Sequence, residues 1–208
     1  QSLRCEIEIV PFAADTQIGK VELINIIAKF SSADAPISLL SGHYDTIRPE
    51  CVSGIGRRVA LMRGWMKICG KPMPVNRHGI YVGANDGGSS TALLLEMARI
   101  VDGRPDIDDV WIVFFDGEEA VKKWSDHDQT YGSRHQVSVW QTEGVLDRIS
   151  MLVNVDMVGG ADFEAMYELN SSSSLRDHLW NCARSLGYES YFPKHHRRKI
   201  GDEHVPFV

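Results

Sequence analysis

Apolar positions along the chain recur with two different periods. Leu3, Cys5, Ile7 and Ile9 alternate with Arg4, Glu6 and Glu8, the period-two pattern of a half-buried strand whose odd-numbered side chains face a core. A second strand-like run, Val21 to Phe30, follows a Gly-Lys turn. Ile37 to Leu40 is short and apolar and opens onto Ser41-Gly42-His43-Tyr44-Asp45-Thr46. Val110 to Phe115 is wholly apolar and ends at Asp116-Gly117-Glu118-Glu119, while Met151 to Val155 ends at Asp156. Helical spacing takes over in Thr91 to Val101, rich in Leu, Ala, Met and Glu and preceded by serines that predict a cap. It returns at Leu175, Leu179, Cys182 and Leu186, after a serine run placed to cap that helix and before Gly187, where the helix should stop. Short apolar strands alternating with helices predict an α/β fold. The expected sheet is mixed and mostly parallel, with helices covering both faces.

Composition narrows this picture. The 208 residues are 43% hydrophobic and 24% charged, the balance of a globular chain, and they predict a single catalytic domain over 1–208. No run approaches the roughly 18 consecutive apolar residues of a membrane span. The 28 acidic residues outnumber 22 basic ones, for a net charge of −6, which argues against nucleic acid as a partner. Cys5, Cys51, Cys69 and Cys182 form no Cys-x-x-Cys pair, so no zinc ribbon or redox motif is encoded. Residues 47–80 break the composition, with seven basic residues against the single acid Glu50. They read as an atypical basic insertion: a surface excursion or a stretch foreign to the domain.

The chemistry gathers where strands end. His43 and Asp45 follow one apolar run, Asp116, Glu118 and Glu119 a second, and Asp156 a third, while Asp86 stands at the glycine-rich entry to a helix. Open α/β sheets bind ligands outside the carboxyl ends of their strands. Carboxylates crowded there resist ionisation unless a cation joins them, and mixed His, Asp and Glu donors suit zinc. The pattern predicts metal-assisted hydrolysis or acyl transfer, with Asp116 structural and aiming the two glutamates.

Gly42-His43-Tyr44-Asp45, Ala84-Asn85-Asp86-Gly87-Gly88-Ser89-Ser90, Phe114-Phe115-Asp116-Gly117-Glu118-Glu119-Ala120 and Asn154-Val155-Asp156-Met157 together resemble zinc peptidase family M28. Trp124 with Asp128 and Tyr131-Gly132-Ser133-Arg134-His135, and the closing Asp202-Glu203-His204-Val205-Pro206-Phe207, resemble its glutaminyl-cyclase branch. The resemblance implies a zinc aminopeptidase-like fold and a cyclotransferase that turns the N-terminal Gln of a peptide or protein into pyroglutamate. It implies one catalytic Zn2+ bound by Asp86 and Glu119, Glu118 as general acid/base, and Asp156 and Asp202 as a hydrogen-bonded acidic pair. Trp124 is a packing residue or a substrate wall.

The resemblance leaves two rivals open. In a two-zinc aminopeptidase, His43, Asp86 and Asp156 would hold one ion and Asp86 and Glu119 the other, with Glu118 activating water and Asp45 orienting His43. In the second rival the chain is an inactive, C-terminally incomplete module, because the family's last zinc-binding histidine lies beyond the Pro-Phe segment and the sequence ends at Val208. His204 matches a non-ligand position, and His195 and His196, in a loop, read as surface histidines, with substitution for the missing ligand as the alternative. Gly42 and Thr91 stand where animal cyclases carry a cysteine pair, so that disulfide is absent. Family resemblance implies a secreted, periplasmic or secretory-pathway protein, although no signal peptide precedes the first strand.

Overall fold

A computed structural model describes residues 3–30, 35–47, 82–104, 109–122 and 124–208. Apart from residue 47, the basic insertion lies outside the described residues. Five strands form one sheet: β1 (Glu6–Thr16), β2 (Gly19–Phe30), β3 (Ile37–His43), β4 (Val110–Phe115) and β5 (Ile149–Asn154), in the spatial order β1-β2-β4-β3-β5. β3 pairs in parallel with both β4 and β5, whereas β2 runs antiparallel to β4 and to β1. Four of the five strands therefore point the same way, with β2 reversed. The sheet is mixed and mostly parallel, as the apolar runs predict.

The alternation of side chains along β4 explains the layers. Val110, Ile112 and Phe114 pack against Leu94, Ala98 and Val101 of helix α1 (Gly88–Val101). Trp111, Val113 and Phe115 face the other way, with Ile27, Ile37 and Leu39, against Trp140 of helix α2 (Tyr131–Glu143). All six β4 residues are buried, because helices cover both faces. Helix α1, the next described element after β3, and helix α2, which follows β4, lie on opposite faces of the sheet, the arrangement that places a ligand crevice at the carboxyl ends of the two strands.

Three local expectations change. Ile7 and Ile9 are each 54% exposed, while Phe12 and Ala14 point inward, so β1 has the opposite phase to the one its first residues suggest. Its register against β2 sets Ile9 opposite Ile26 and Pro11 opposite Ile24, and the buried cluster of Phe12, Ala14, Leu23 and Tyr131 fixes which face is in. Helix α1 has no side-chain cap. Its cap residue is Gly87, and the Ser90 hydroxyl donates to the carbonyls of Gly87 and His43 at 2.9 and 3.2 Å, tying the helix to the end of β3.

Helix α3 (Ser173–Ser185) does begin after Ser172, again with no side-chain cap bond, and the chain turns at Gly187 with φ 80°. It buries Trp180 and Ala183, whereas Leu175 and Leu179 stay 41% and 42% exposed. A short parallel pair, β6 (Tyr167–Glu168) and β7 (Arg197–Arg198), brackets this helix. Among the described residues no helix is long and apolar enough to cross a membrane.

Candidate functional site

His43 is the last residue of β3, and its ring is almost completely buried, with 1% side-chain exposure. Its Nε2 lies 3.2 Å from Asp86 Oδ1 and 3.1 Å from Asp156 Oδ1. One ligand atom from each of the three residues falls within 4.8 Å of the others. Three remote segments thus converge on one point at the crevice.

Local backbone chemistry brings them there. Gly87 has φ 82°, and a Cβ at that position would come within 2.4 Å of the Asp45 carbonyl oxygen, so only glycine lets the turn carrying Asp86 close onto the His43 loop. On the other side, Asp156 is followed by Met157 with φ 51°, a left-handed conformation uncommon for a side-chain-bearing residue. That bend is held from the Asp86 motif itself. Val158 N donates to Ser89 Oγ at 3.0 Å and Gly159 N donates to Asn85 Oδ1 at 2.8 Å. Asn85 and Ser89 dock the loop that carries Asp156 beside Asp86.

The two glutamates are aimed from β4. Asp116 Oδ2 accepts from Ile24 N at 2.9 Å, and Asn25 Oδ1 accepts from Asp116 N, so Asp116 fastens the turn to β2 as a structural group. Gly117 then turns at φ 71°, with Leu23 filling the space a Cβ would need. Asp45 completes the bracket. Its two oxygens accept from Glu118 N at 3.1 Å and Glu119 N at 3.2 Å, and Oδ1 lies 3.4 Å from His43 Nδ1, an ion-pair distance rather than an aligned hydrogen bond. Beyond the expected contact with His43, Asp45 therefore holds the backbone of both glutamates.

Buried acids crowd around the His43 imidazole and shift one another. Burial, and then the charges of Asp202, Glu119 and Asp45, push the Glu118 carboxyl up to about 9 against the opposing pull of His43. Burial, followed by the charges of Asp86 and Asp45, pushes Glu119 up to about 8, so Asp86 and Glu119 stand close enough to act on each other. Burial alone would lower His43, but Asp156, Asp45 and Asp86 outweigh it and hold the imidazole well above the usual histidine range. Burial and then Asp156 raise Asp202. Acids kept protonated around a protonated imidazole are what a divalent cation would replace. The donor set of one His and surrounding carboxylates fits zinc.

The remaining expectations resolve as follows. Asp202 Oδ1 accepts from Asn154 Nδ2 at 2.9 Å and from Glu203 N at 2.6 Å, and the charge of Asp156 acts on its carboxyl. Trp124 is 46% exposed, which rules out a core role. His204 sits against Glu168, with Nε2 3.4 Å from Oε2, and His195 and His196 lie on the surface away from the His43 group. Asp128 anchors the segment after the glutamates by accepting from Val121 N, Lys122 N and the Tyr131 hydroxyl. Glu203 escaped the sequence reading as a site group. It is fully buried with neither carboxylate oxygen hydrogen-bonded, and burial and then Asp202 raise it well above the carboxylate range. Its only sequence signal is the acidic doublet before His204.

Known proteins are similar to this chain in sequence and fold. The model of peptidase family M28 matches residues 25–208. A glutaminyl-peptide cyclotransferase of Drosophila melanogaster is 30% identical over 237 aligned residues, covering 100% of this chain and 59% of the relative. The crystal structure of an Acidobacteriales bacterium glutaminyl cyclase matches with a TM-score of 0.78 at 32% identity, over 97% of this chain and 60% of that one. A Zn-dependent exopeptidase from Parabacteroides distasonis shares the fold, with a TM-score of 0.72 at 22% identity, over 98% of this chain and 66% of its own. The chain thus spans less than two thirds of the length of these relatives.

Proposed function

This chain belongs to peptidase family M28, and on that premise we propose that its site is that of a zinc-dependent glutaminyl-peptide cyclotransferase acting on peptide or protein N-termini. The observation that carries this reading is Glu118, only 4% exposed and pushed up to about 9, next to Glu119, whose carboxyl is itself raised by burial and then by the charge of Asp86. In the reaction, the α-amine of an N-terminal Gln attacks its own γ-carboxamide carbon. A C–N bond closes the five-membered lactam, the bond to the amide nitrogen breaks, and ammonia leaves.

That exchange needs a proton carried from the attacking amine to the departing nitrogen. Glu118 would carry it, and its backbone held by Asp45 and its carboxyl withdrawn from water support that role. Asp86 and Glu119 are the residues that would hold a single zinc ion, which when bound would polarise the carboxamide oxygen. Asp156 and Asp202, whose carboxyls act on each other, would accept hydrogen bonds from the substrate's α-amine and hold it toward Glu118. Holding the side chain curled supplies much of the remaining rate through proximity. Trp124, half-exposed on the segment after the glutamates, would offer an apolar wall to the substrate.

A second reading has its own observation. His43, Asp86 and Asp156 are the donors that a two-zinc M28 aminopeptidase would use for one of its ions, and these three cluster here. A Gln-Phe dipeptide separates the two. The cyclase releases ammonia and leaves a dipeptide with a blocked amine, and the chain carries about one zinc. Free Phe with no ammonia, at two zinc ions per chain, overturns the cyclase reading in favour of peptide-bond hydrolysis.

A further inference from the structure

A second cluster of metal-capable atoms lies away from the crevice and shares no residue with it. Glu164, His195 and His196 are exposed, and one ligand atom from each falls within 4.8 Å of the others. His196 Nδ1 is 3.1 Å from Glu164 Oε2, and the two imidazole centroids are 4.3 Å apart with the rings crossed at 72°. Crossed rings let both histidines present a nitrogen lone pair to a common point, which a flat stack would not.

The backbone beneath these side chains is held at every step. The Pro193 carbonyl accepts from the indole of buried Trp180 at 3.3 Å, and the Lys194 carbonyl from Arg197 Nε at 2.9 Å. The His195 carbonyl accepts from Arg197 N at 3.1 Å and the His196 carbonyl from Tyr167 N at 2.8 Å. Glu164 is flanked by two more bonds, Phe163 N to Gly160 O and Ala165 N to Tyr191 O. The three ligands are therefore mobile only at their side chains, which keeps the entropy lost on binding small. Two basic neighbours are turned to other partners. Lys194 pairs with Asp177, and Arg197 lies over the Tyr167 ring.

We propose that Glu164, His195 and His196 form a second, solvent-accessible site for a divalent transition-metal ion of the zinc class, bound by two imidazoles and one carboxylate. Imidazole nitrogen with a carboxylate oxygen suits Zn2+, Ni2+ or Cu2+ and disfavours Mg2+ and Ca2+, which prefer all-oxygen shells. Three protein ligands leave coordination positions open to water or to a donor from another molecule.

Zinc binding by the whole chain, measured by equilibrium dialysis against micromolar Zn2+ with elemental analysis, tests this. The His195→Asn/His196→Asn double variant should bind one ion fewer per chain than the unsubstituted protein, whatever number the buried group holds, since both proteins keep that group. Zinc should also shift the imidazole NMR signals of His195 and His196 at stoichiometric concentration. Glu164→Gln, which leaves the supporting backbone bonds untouched, should weaken this ion at least about tenfold, and it serves as the test if the double variant melts early. Equal stoichiometry in the variant and the unsubstituted chain overturns the proposal, as does saturation of the second site only at millimolar zinc.

Discussion

In His43, Asp86 and Asp156 the donor atoms sit at the rim of the parallel strands, with the imidazole sealed from water, whereas Glu164, His195 and His196 carry the same atom types on exposed loops. The first group is assembled from three segments more than forty residues apart in sequence, fastened to one another: Ser90 of α1 bonds the His43 carbonyl, and Asn85 and Ser89 hold the loop after Asp156. The second is assembled within one local substructure around the β6–β7 pair. Burial makes the difference. Charges sharing a low-dielectric crevice shift one another strongly, while exposed ones are screened. Zinc bound at the rim would tie remote segments together, whereas zinc bound on the loops would tie together one local substructure.

Substitutions at the rim should break this contrast hardest. Asp86→Ala removes a residue that both zinc arrangements share, so turnover should fall below detection; combined with His195→Asn and His196→Asn, it should also abolish the rise in melting temperature with zinc, as elemental analysis and thermal unfolding will check. A combined variant that still melted higher with zinc would show that the rim keeps its ion without Asp86.

Glu118→Gln keeps shape and removes the proton carrier. Turnover should drop about 10²–10⁴-fold with bound zinc unchanged. Equal loss of metal would make Glu118 a ligand instead. Asp45→Asn should cost about 10–100-fold in zinc affinity, because an amide offers one accepting oxygen where Glu118 N and Glu119 N each require one. Competition with a zinc chelator reads this directly.

The smallest effect is on stability. In the metal-free protein Glu118 rises from 4.5 to about 9 and Glu119 from 4.5 to about 8, so the folded chain holds protons that the unfolded chain has released. Stability is then fully present below the unfolded value and is lost as pH climbs toward the folded one. Metal-free melting temperature should decline from about pH 5 to about pH 8, and Glu118→Gln should flatten the slope. A rising curve would contradict the burial of these acids.

Where one physical rule acted alone, the sequence was enough. Val110 to Phe115 is a strand with the expected limits because a six-residue apolar run covered on both faces has no competing period. His43, Asp86, Glu118, Glu119 and Asp156 were all legible as acids and a histidine at strand or helix boundaries. Helix α2 was passed over because Tyr131 to Glu143 is largely polar, and it is anchored mainly through Trp140, 2% exposed, and the buried contacts of Ser133 and Gln136. The phase of β1 was misread because an edge strand with apolar residues on both faces takes its orientation from its partner.

The residue types and their order determined the kind of chemistry, the strand ends that bear it and the family to which the chain belongs. Only the tertiary structure decided that Asp45 grips both glutamate amides, that Asn154 bonds Asp202, that neither carboxylate oxygen of buried Glu203 is hydrogen-bonded, and that two surface histidines meet Glu164. Periodicity and residue type act between near neighbours in the chain and can be read along it. Hydrogen bonds and charge coupling between segments depend on which loops the packed sheet brings within about 3 Å, and no local pattern encodes that distance.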